Sequence, residues 1–475
     1  MPILFGIALR VVFLSWPTGA LDSDEAIVGL MARHALYDRD LSVFFYGQAY
    51  GGALEPLLTV PAVAIGGSRA LAVKAVPMLL SAVAAVLVWR AGRRTVGERA
   101  AVVGALAFWM WPANYVWFST KARGFYWVAL VLGLLVVLFA LRLSDRPDRW
   151  PDWIILGGAA GLGWWTTPQM LYFAVPAGGW LLWRLRAKAW RAVLAGPAAL
   201  VGAAPWLLYN LDTGWRSLEV TNREFDEGYL GNIAVLFQNG IPVALGLHAA
   251  ERWLVPLVFP VLYGALLAGM AWAAARRPAP PPGHIGLVAL GAVVYPLIWG
   301  VLPVSGVIGE GRYLLFLAPF LALLLAHLAL ARGTATGVAL LVGVAVLSVA
   351  GAFAIRDHSS PFLVDTARGQ REVILMPRDT EPLRAALASW DVTHAYADYW
   401  IAYRVTFETG EDIVIAPLNT SRYPPYDASV AAADRPAYVF VAGAPSAAQL
   451  RADLRTAGTG YREARAGAFT VIQPR

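Results

Sequence analysis

The chain of 475 residues has no cysteine, which excludes disulfides, thiolate-bound metals and thiol nucleophiles. Charge is the second scarcity, at 15% of residues against 58% hydrophobic, with a mean hydropathy of +0.57. Lysine is almost missing, 3 residues beside 35 arginines. The histidines (His34, His248, His284, His327, His358 and His394) show no metal-ligand spacing, so no metal site is assigned. No glycine-rich phosphate loop follows a strand-like run, which argues against nucleotide binding. The net charge of +7 and pI near 9.6 do not indicate nucleic acid, because the basic residues fall in short segments between apolar runs.

What is present is a succession of apolar runs, each near the about 20 residues needed to cross a bilayer. They cover 3–19, 69–89, 98–117, 124–143, 153–167, 168–184, 192–209, 253–275, 285–303, 311–331 and 335–355. The expected fold is therefore a polytopic α-helical membrane protein of about 11 spans. Thr166-Thr167-Pro168-Gln169 splits one long apolar stretch in two. The first run has no lysine or arginine before Arg10 and reads as a retained span rather than a signal peptide.

Every second loop is basic: Arg90 to Arg99, Arg142 to Arg149, Arg184 to Arg191, Arg276 with Arg277, and Arg332. The alternate loops hold the acids, Asp22 to Glu55 and Asp212 to Glu227. By the positive-inside rule the N-terminus is cytoplasmic and the C-terminus extracytoplasmic, which suits a multi-pass protein of a bacterial plasma membrane. Residues 1–356 form the membrane domain, with an outer loop over 20–68. Within that loop an amphipathic helix from Asp24 places Ile27, Val28, Leu30, Met31 and Ala35 on one face, as expected of a helix lying in the membrane interface. A second short apolar helix runs from about Leu54 to Ile65. The 210–250 loop, including Thr221 to Gly228, reads as a mobile acceptor or lid loop, and Pro278 to Gly283 as a stiff linker.

From Asp357 the apolar runs shorten to strand length. Val373–Met376, His394–Ala397, Asp412–Ala416, Ala437–Ala442 and Phe469–Ile472 read as strands. Glu381–Trp390 and Ser446–Ala457 read as helices, the second capped by Ser446. The pattern predicts a small extracytoplasmic α/β domain over 357–475.

Two constellations carry chemistry. Asp22, Asp24 and Glu25 place three carboxylates in four residues directly after the first span. A carboxylate at the water–lipid boundary can take a hydroxyl proton from an acceptor while a glycosyl–phosphate bond breaks. The plainer reading is that Ser23 or Asp24 caps a helix and Glu25 complements its dipole. The second constellation is Lys121 and Arg123, with Arg312 and Tyr313 near a later span. Cations at the outer ends of spans run against the positive-inside trend and suit a phosphate. Snorkelling, or a salt bridge to Glu310, is the plainer reading there. In the outer loop His34, Tyr46, Gln48 and Glu55 are candidate substrate contacts. A divalent cation on Asp22, Asp24 or Glu25 is chemically permitted, and no other cofactor is assigned.

Asp22-Ser23-Asp24-Glu25-Ala26, Gly29-Leu30-Met31-Ala32, Phe44-Phe45-Tyr46-Gly47-Gln48 and Arg312-Tyr313-Leu314 together resemble the GT-C superfamily of polytopic glycosyltransferases. The resemblance is to the branch near the protein O-mannosyltransferases and aminoarabinose transferases. It implies an inverting hexosyl- or pentosyltransferase fed by a polyprenyl-phosphate sugar donor, with a glycan, lipid or protein acceptor. It also implies that Asp24 is the general base and that Arg312 and Tyr313 lie near the donor phosphate. Aminoarabinose relatives carry Lys-Pro-Pro where this chain has Gly47-Gln48-Ala49, so no phosphate contact carries over to that position. Tyr399, Trp400, Tyr403 and Tyr426 suit sugar stacking or plain packing, and Arg404 and Arg422 suit hydroxyls or phosphate. The rival reading is a multi-pass transporter or flippase for a lipid-linked or polar solute. It fits less well, because the spans hold little mid-membrane charge and no internal repeat is visible.

Overall fold

The structure, a computed structural model, describes residues 1–219, 227–249, 252–254, 284–301, 311–356, 362–365 and 372–475. The chain opens with helix α1 (Pro2–Ser15) and bends by 90° through Pro17–Gly19 into α2 (Ser23–Tyr37). It continues through α3 (Leu54–Gly66), α4 (Ala70–Thr95), α5 (Glu98–Trp109), α6 (Ala113–Phe118), α7 (Tyr126–Asp145) and α8 (Trp150–Thr166). α7 is the central member: most of its side chains from Tyr126 to Leu143 are buried, and it packs on α4, α8 and the helix Leu171–Leu185. Its 20 residues reach about 30 Å, enough to cross a bilayer.

Outer helices show their apolar side chains instead. Leu71, Leu79, Val83 and Val86 on α4, and Val338, Val342, Val346 and Phe353 on Thr334–Ile355, are exposed. Apolar faces of that extent belong against lipid.

The helices are more broken than the hydropathy runs predict. Three described helices are long and apolar enough to span, or five if each bent pair counts as one, so about 11 spans is not what the described residues show. The 98–117 run stops at Trp109 and restarts at Ala113, with Pro112 between. The 311–331 run begins with a single 3-10 turn at Arg312–Leu314 and becomes α-helical only at Ala318, and 192–209 divides at Ala203. Proline in these breaks removes a backbone donor and clashes with the preceding turn. The split at Thr166 is as expected: α8 ends there, and the Thr167 hydroxyl accepts from the Gln169 amide to start a new turn. The 253–275 run, the loop over 221–226, Glu310 and the linker over 278–283 lie outside the described residues, apart from the short stretch at 253–254.

The C-terminal part is a small α/β layer. Its five-stranded sheet runs in the order Val414–Pro417, His394–Ala397, Ala437–Val441, Phe469–Pro474, Tyr461–Ala466. The first three strands are parallel and the last two antiparallel. Tyr461–Ala466 escapes the sequence pattern because it is an edge strand carrying Arg462, Glu463 and Arg465, charges that suit an exposed edge. A short strand Phe362–Asp365 pairs with Glu372–Leu375. The helix expected at Ser446 begins at Pro445 with Ala444 before it, so Ser446 is not the cap: proline needs no amide partner at a first helical position.

α2 differs most from expectation. Gly29 to Ala32 and nearly every residue around them are buried, because Tyr399, Tyr403, Phe407 and Tyr426 of the C-terminal layer cover the face turned away from the bundle. The helix is sandwiched between two protein surfaces rather than lying in a lipid interface. Gly29 is needed for this approach, since a Cβ there would sit 2.4 Å from the Phe407 ring.

Candidate active site

The acidic cluster is built on the first turn of α2. Asp22, not Ser23 or Asp24, is the cap: its carboxylate accepts from the Glu25 amide at 3.1 Å, and Glu25 accepts in return from the Asp22 amide at 3.3 Å. Reciprocal capping of this kind satisfies two otherwise orphaned donors. It accounts for two carboxylates at a helix start, but not for what surrounds them.

Three cations meet the three acids. Lys74, from α4, donates to both Glu25 oxygens at 2.5 and 2.7 Å. Lys121 spends its three donors on the Ala20 carbonyl at 2.8 Å, Asp22 at 3.2 Å and Glu25 at 3.0 Å. Arg123 donates to Asp22 at 2.7 Å and Asp24 at 3.3 Å. Asp22, Glu25, Lys74 and Lys121 are essentially inaccessible, whereas the Asp24 side chain keeps 23% exposure. Burial alone would raise the pKa of Asp22, but Arg123, then Lys121 and Lys74, hold it well below the ordinary carboxylate range. Asp22 is thus fixed as an anion, Glu25 is held by both lysines, and Asp24 is the member of the trio open to a ligand.

Asp24 has a second partner from a distant part of the chain. The Tyr399 hydroxyl donates to Asp24 Oδ1 at 2.5 Å, and the Ser23 hydroxyl donates to the Tyr399 carbonyl at 2.7 Å. Near this point lie Tyr50 and two arginines. The Tyr50 hydroxyl sits in the field of Arg422, Tyr313, Arg312 and Asp24, which places all five in one neighbourhood. The turn carrying Arg312 is held by the hydroxyls of Tyr295 on the Tyr313 carbonyl and Tyr115 on the Leu314 carbonyl, both at 2.7 Å. The Arg312 guanidinium lies 5.1 Å from the Tyr313 ring and 5.9 Å from Tyr126.

The remaining outer-loop candidates contact partners other than Asp24. Buried His34 meets the Tyr46 hydroxyl at 2.8 Å and Glu411 at 2.9 Å, and Tyr46 stacks on Tyr423 at 4.6 Å. These two side chains join α2 to the C-terminal layer. Gln48, with its amide oxygen turned to Arg422, accepts from the guanidinium at 2.7 Å. Glu55 is buried at the start of α3, where burial pushes its carboxyl up to about 8, and one oxygen accepts from the Gly124 amide at 3.2 Å. Among the described residues no three His, Asp or Glu side chains form a metal-holding group. At Asp22 and Glu25 the lysines and Arg123 stand where a divalent cation would.

Sequence reasoning missed Lys74 entirely and gave Tyr399 no link to Asp24. Lys74 did leave a signal, being one of three lysines and placed inside an apolar run.

Comparison with known proteins bears on the fold that carries this cluster. Residues 56–209 match the family model described as dolichyl-phosphate-mannose-protein mannosyltransferase. ArnT from Cupriavidus metallidurans bound to undecaprenyl phosphate superposes with a TM-score of 0.61 at 14% identity, over 99% of this chain and 97% of that one. The same protein in the apo state gives 0.61 at 13% identity, with the same coverage. No curated protein sequence matches the chain. From its first helix to its C-terminal layer the chain thus has the fold of ArnT, and the stretch 56–209 within it carries the similarity to the mannosyltransferase family model.

Proposed function

We propose that this protein is a glycosyltransferase that moves a monosaccharide from a polyprenyl-phosphate carrier to an acceptor hydroxyl at the outer face of the membrane, with Asp24 as general base. The observation that carries the reading is the division of labour in the acidic cluster. Asp22 and Glu25 are locked by buried cations, while Asp24 alone of the three is reachable. ArnT, which shares the fold, binds undecaprenyl phosphate, and this supports a lipid-phosphate donor.

In this mechanism the acceptor hydroxyl approaches Asp24, which takes its proton as the oxygen attacks the anomeric carbon. The anomeric carbon–oxygen bond to phosphate breaks, and polyprenyl phosphate leaves as an anion. Arg312 and Tyr313, with Arg422 across from them, bind that phosphate, since a guanidinium donates bidentately to phosphate oxygens. Arg123 couples Asp24 to the buried cluster, and Lys121, with Lys74, neutralises that cluster rather than reaching the donor. Glu55, uncharged at neutral pH, shapes the site beside Gly124, and His34, Tyr46 and Gln48 set the wall formed by the C-terminal layer. On this reading residues 1–356 form the membrane domain with a cytoplasmic N-terminus, and 357–475 form an extracytoplasmic domain.

The test is sugar transfer from radiolabelled polyprenyl-phosphate donors in membranes carrying wild type or Asp24→Asn. Loss of a general base lowers the rate by about 100- to 10,000-fold. Full transfer by Asp24→Asn at equal expression would reduce the residue to a helix-start acid. Substrate counterflow in liposomes without covalent transfer would favour the transporter.

A further inference from the structure

Tyr399 lies 375 residues from Asp24 in sequence, yet engages the first turn of α2 through both its carbonyl and its hydroxyl. Its carbonyl accepts from the Ser23 hydroxyl and its own hydroxyl donates to Asp24, the next residue. Its amide donates to Asn419 at 3.2 Å, and Asp398 caps the helix that begins at Tyr399, accepting from the Trp400 amide at 2.9 Å. The ring is wedged between Trp400 at 4.8 Å and Tyr403 at 5.4 Å. Packing would hold the ring without any hydroxyl, so the 2.5 Å bond to Asp24 is an additional feature.

We propose that Tyr399 is a positioning residue for Asp24, by which the C-terminal α/β layer sets the orientation and proton affinity of the base. The inference rests on the reading of Asp24 as the base. A phenol donating to a carboxylate favours its ionised form. It also fixes Oδ1, and each carboxylate oxygen has a further lone pair for the acceptor's proton. Burial, and then the neighbouring Asp24 charge, push the Tyr399 hydroxyl far above its ordinary range, so it remains a donor at any working pH. The other charged and titratable groups around Asp24 come from every layer. They are Arg123 before α7, Asp22 on the same turn, Tyr50 in the outer loop, and Arg422, whose guanidinium lies 5.9 Å from the Tyr399 ring. Arg123 donates to the other oxygen, Asp24 Oδ2, at 3.3 Å and is retained in a variant changed only at Tyr399.

The experiment uses the full-length protein as wild type, Tyr399→Phe and Asp24→Asn. Phenylalanine keeps the ring packing and removes only the donor. The carboxylate of Asp24, identified by infrared difference against Asp24→Asn, is titrated without substrate, and transfer is measured across pH with kcat and KM separated. Without the donor the charged form is less favoured, so the base is competent only at higher pH. Hydrogen bonds to charged groups are of a size that moves a pKa by about one to two units. The expected result is a rise of that size in the infrared midpoint and in the acid limb of kcat, with KM for the donor unchanged. An unchanged midpoint and an unchanged acid limb would overturn the proposal. A shifted midpoint in a protein that transfers no sugar would keep the Tyr399–Asp24 link and sink the glycosyltransferase reading. Should Tyr399→Phe be recovered poorly, Ser23→Ala releases the Tyr399 carbonyl instead and is expected to move the midpoint the same way by less.

Discussion

Glu25 takes hydrogen bonds from two of the three lysines in the chain, a concentration of ammonium groups in a sequence otherwise rich in arginine. An ammonium is a compact charge with three rotatable donors, which fits a crowded pocket shared with backbone carbonyls better than a planar guanidinium does. Buried ion pairs are weak net stabilisers while intact, but removing one partner leaves a charge with nothing to compensate it. Lys121→Met should therefore lower stability by about 3–5 kcal/mol, read as a drop in thermal midpoint in detergent. A midpoint within a degree of wild type would mean that Lys74 and Arg123 alone satisfy the cluster. Arg123 serves differently, bridging Asp22, which is locked, to Asp24, which is open.

Among elements, α2 depends most on what covers it. Gly29 faces the Phe407 ring so closely that even a methyl group must displace it. Gly29→Ala is expected to cost about 1–3 kcal/mol through overpacking, and pairing it with Phe407→Leu should recover part of that loss. If the single variant is as stable as wild type and the double variant is worse, the ring moves freely and the contact is loose. The start of α2 was legible in sequence because acids gather at helix beginnings for a local reason. Its short apolar stripe was legible too. Its second covered face was not, since the residues that bury it lie near position 400 and no local pattern announces a contact of that separation. Tyr399–Glu408 itself hides its helical nature: aromatic and β-branched residues favour strands, and burial on nearly every side removes the amphipathic stripe. Strands such as His394–Ala397 were readable, since their composition and bounding turns agree with the observed register.

At the scale of the molecule, hydropathy correctly announced a chain of apolar helices but overstated their continuity, because composition is blind to a break of two or three residues. The positive-inside pattern makes a specific claim about orientation. A periplasm-active reporter fused at Arg475 should be active and a cytoplasm-active one silent; the reverse result would overturn both the topology and the outer-face reaction. Exposed leucine and valine on α4 and on Thr334–Ile355 are consistent with lipid on those sides.

The hydrogen bond between Tyr399 and Asp24 also has a meaning in time. The acids, Lys74, Lys121 and Arg123 are all made within roughly the first quarter of the chain, so the charged cluster can assemble while the ribosome is still at work. The phenol arrives 375 residues after the aspartate, which at about 5–20 residues per second is a delay of roughly 20–75 s. Until then Asp24 has Arg123 but not the Tyr399 hydroxyl as a partner. On the reading proposed above, only completion of the last folding unit supplies the Tyr399 hydroxyl, so an unfinished chain holds the charged cluster without the donor that orients Asp24.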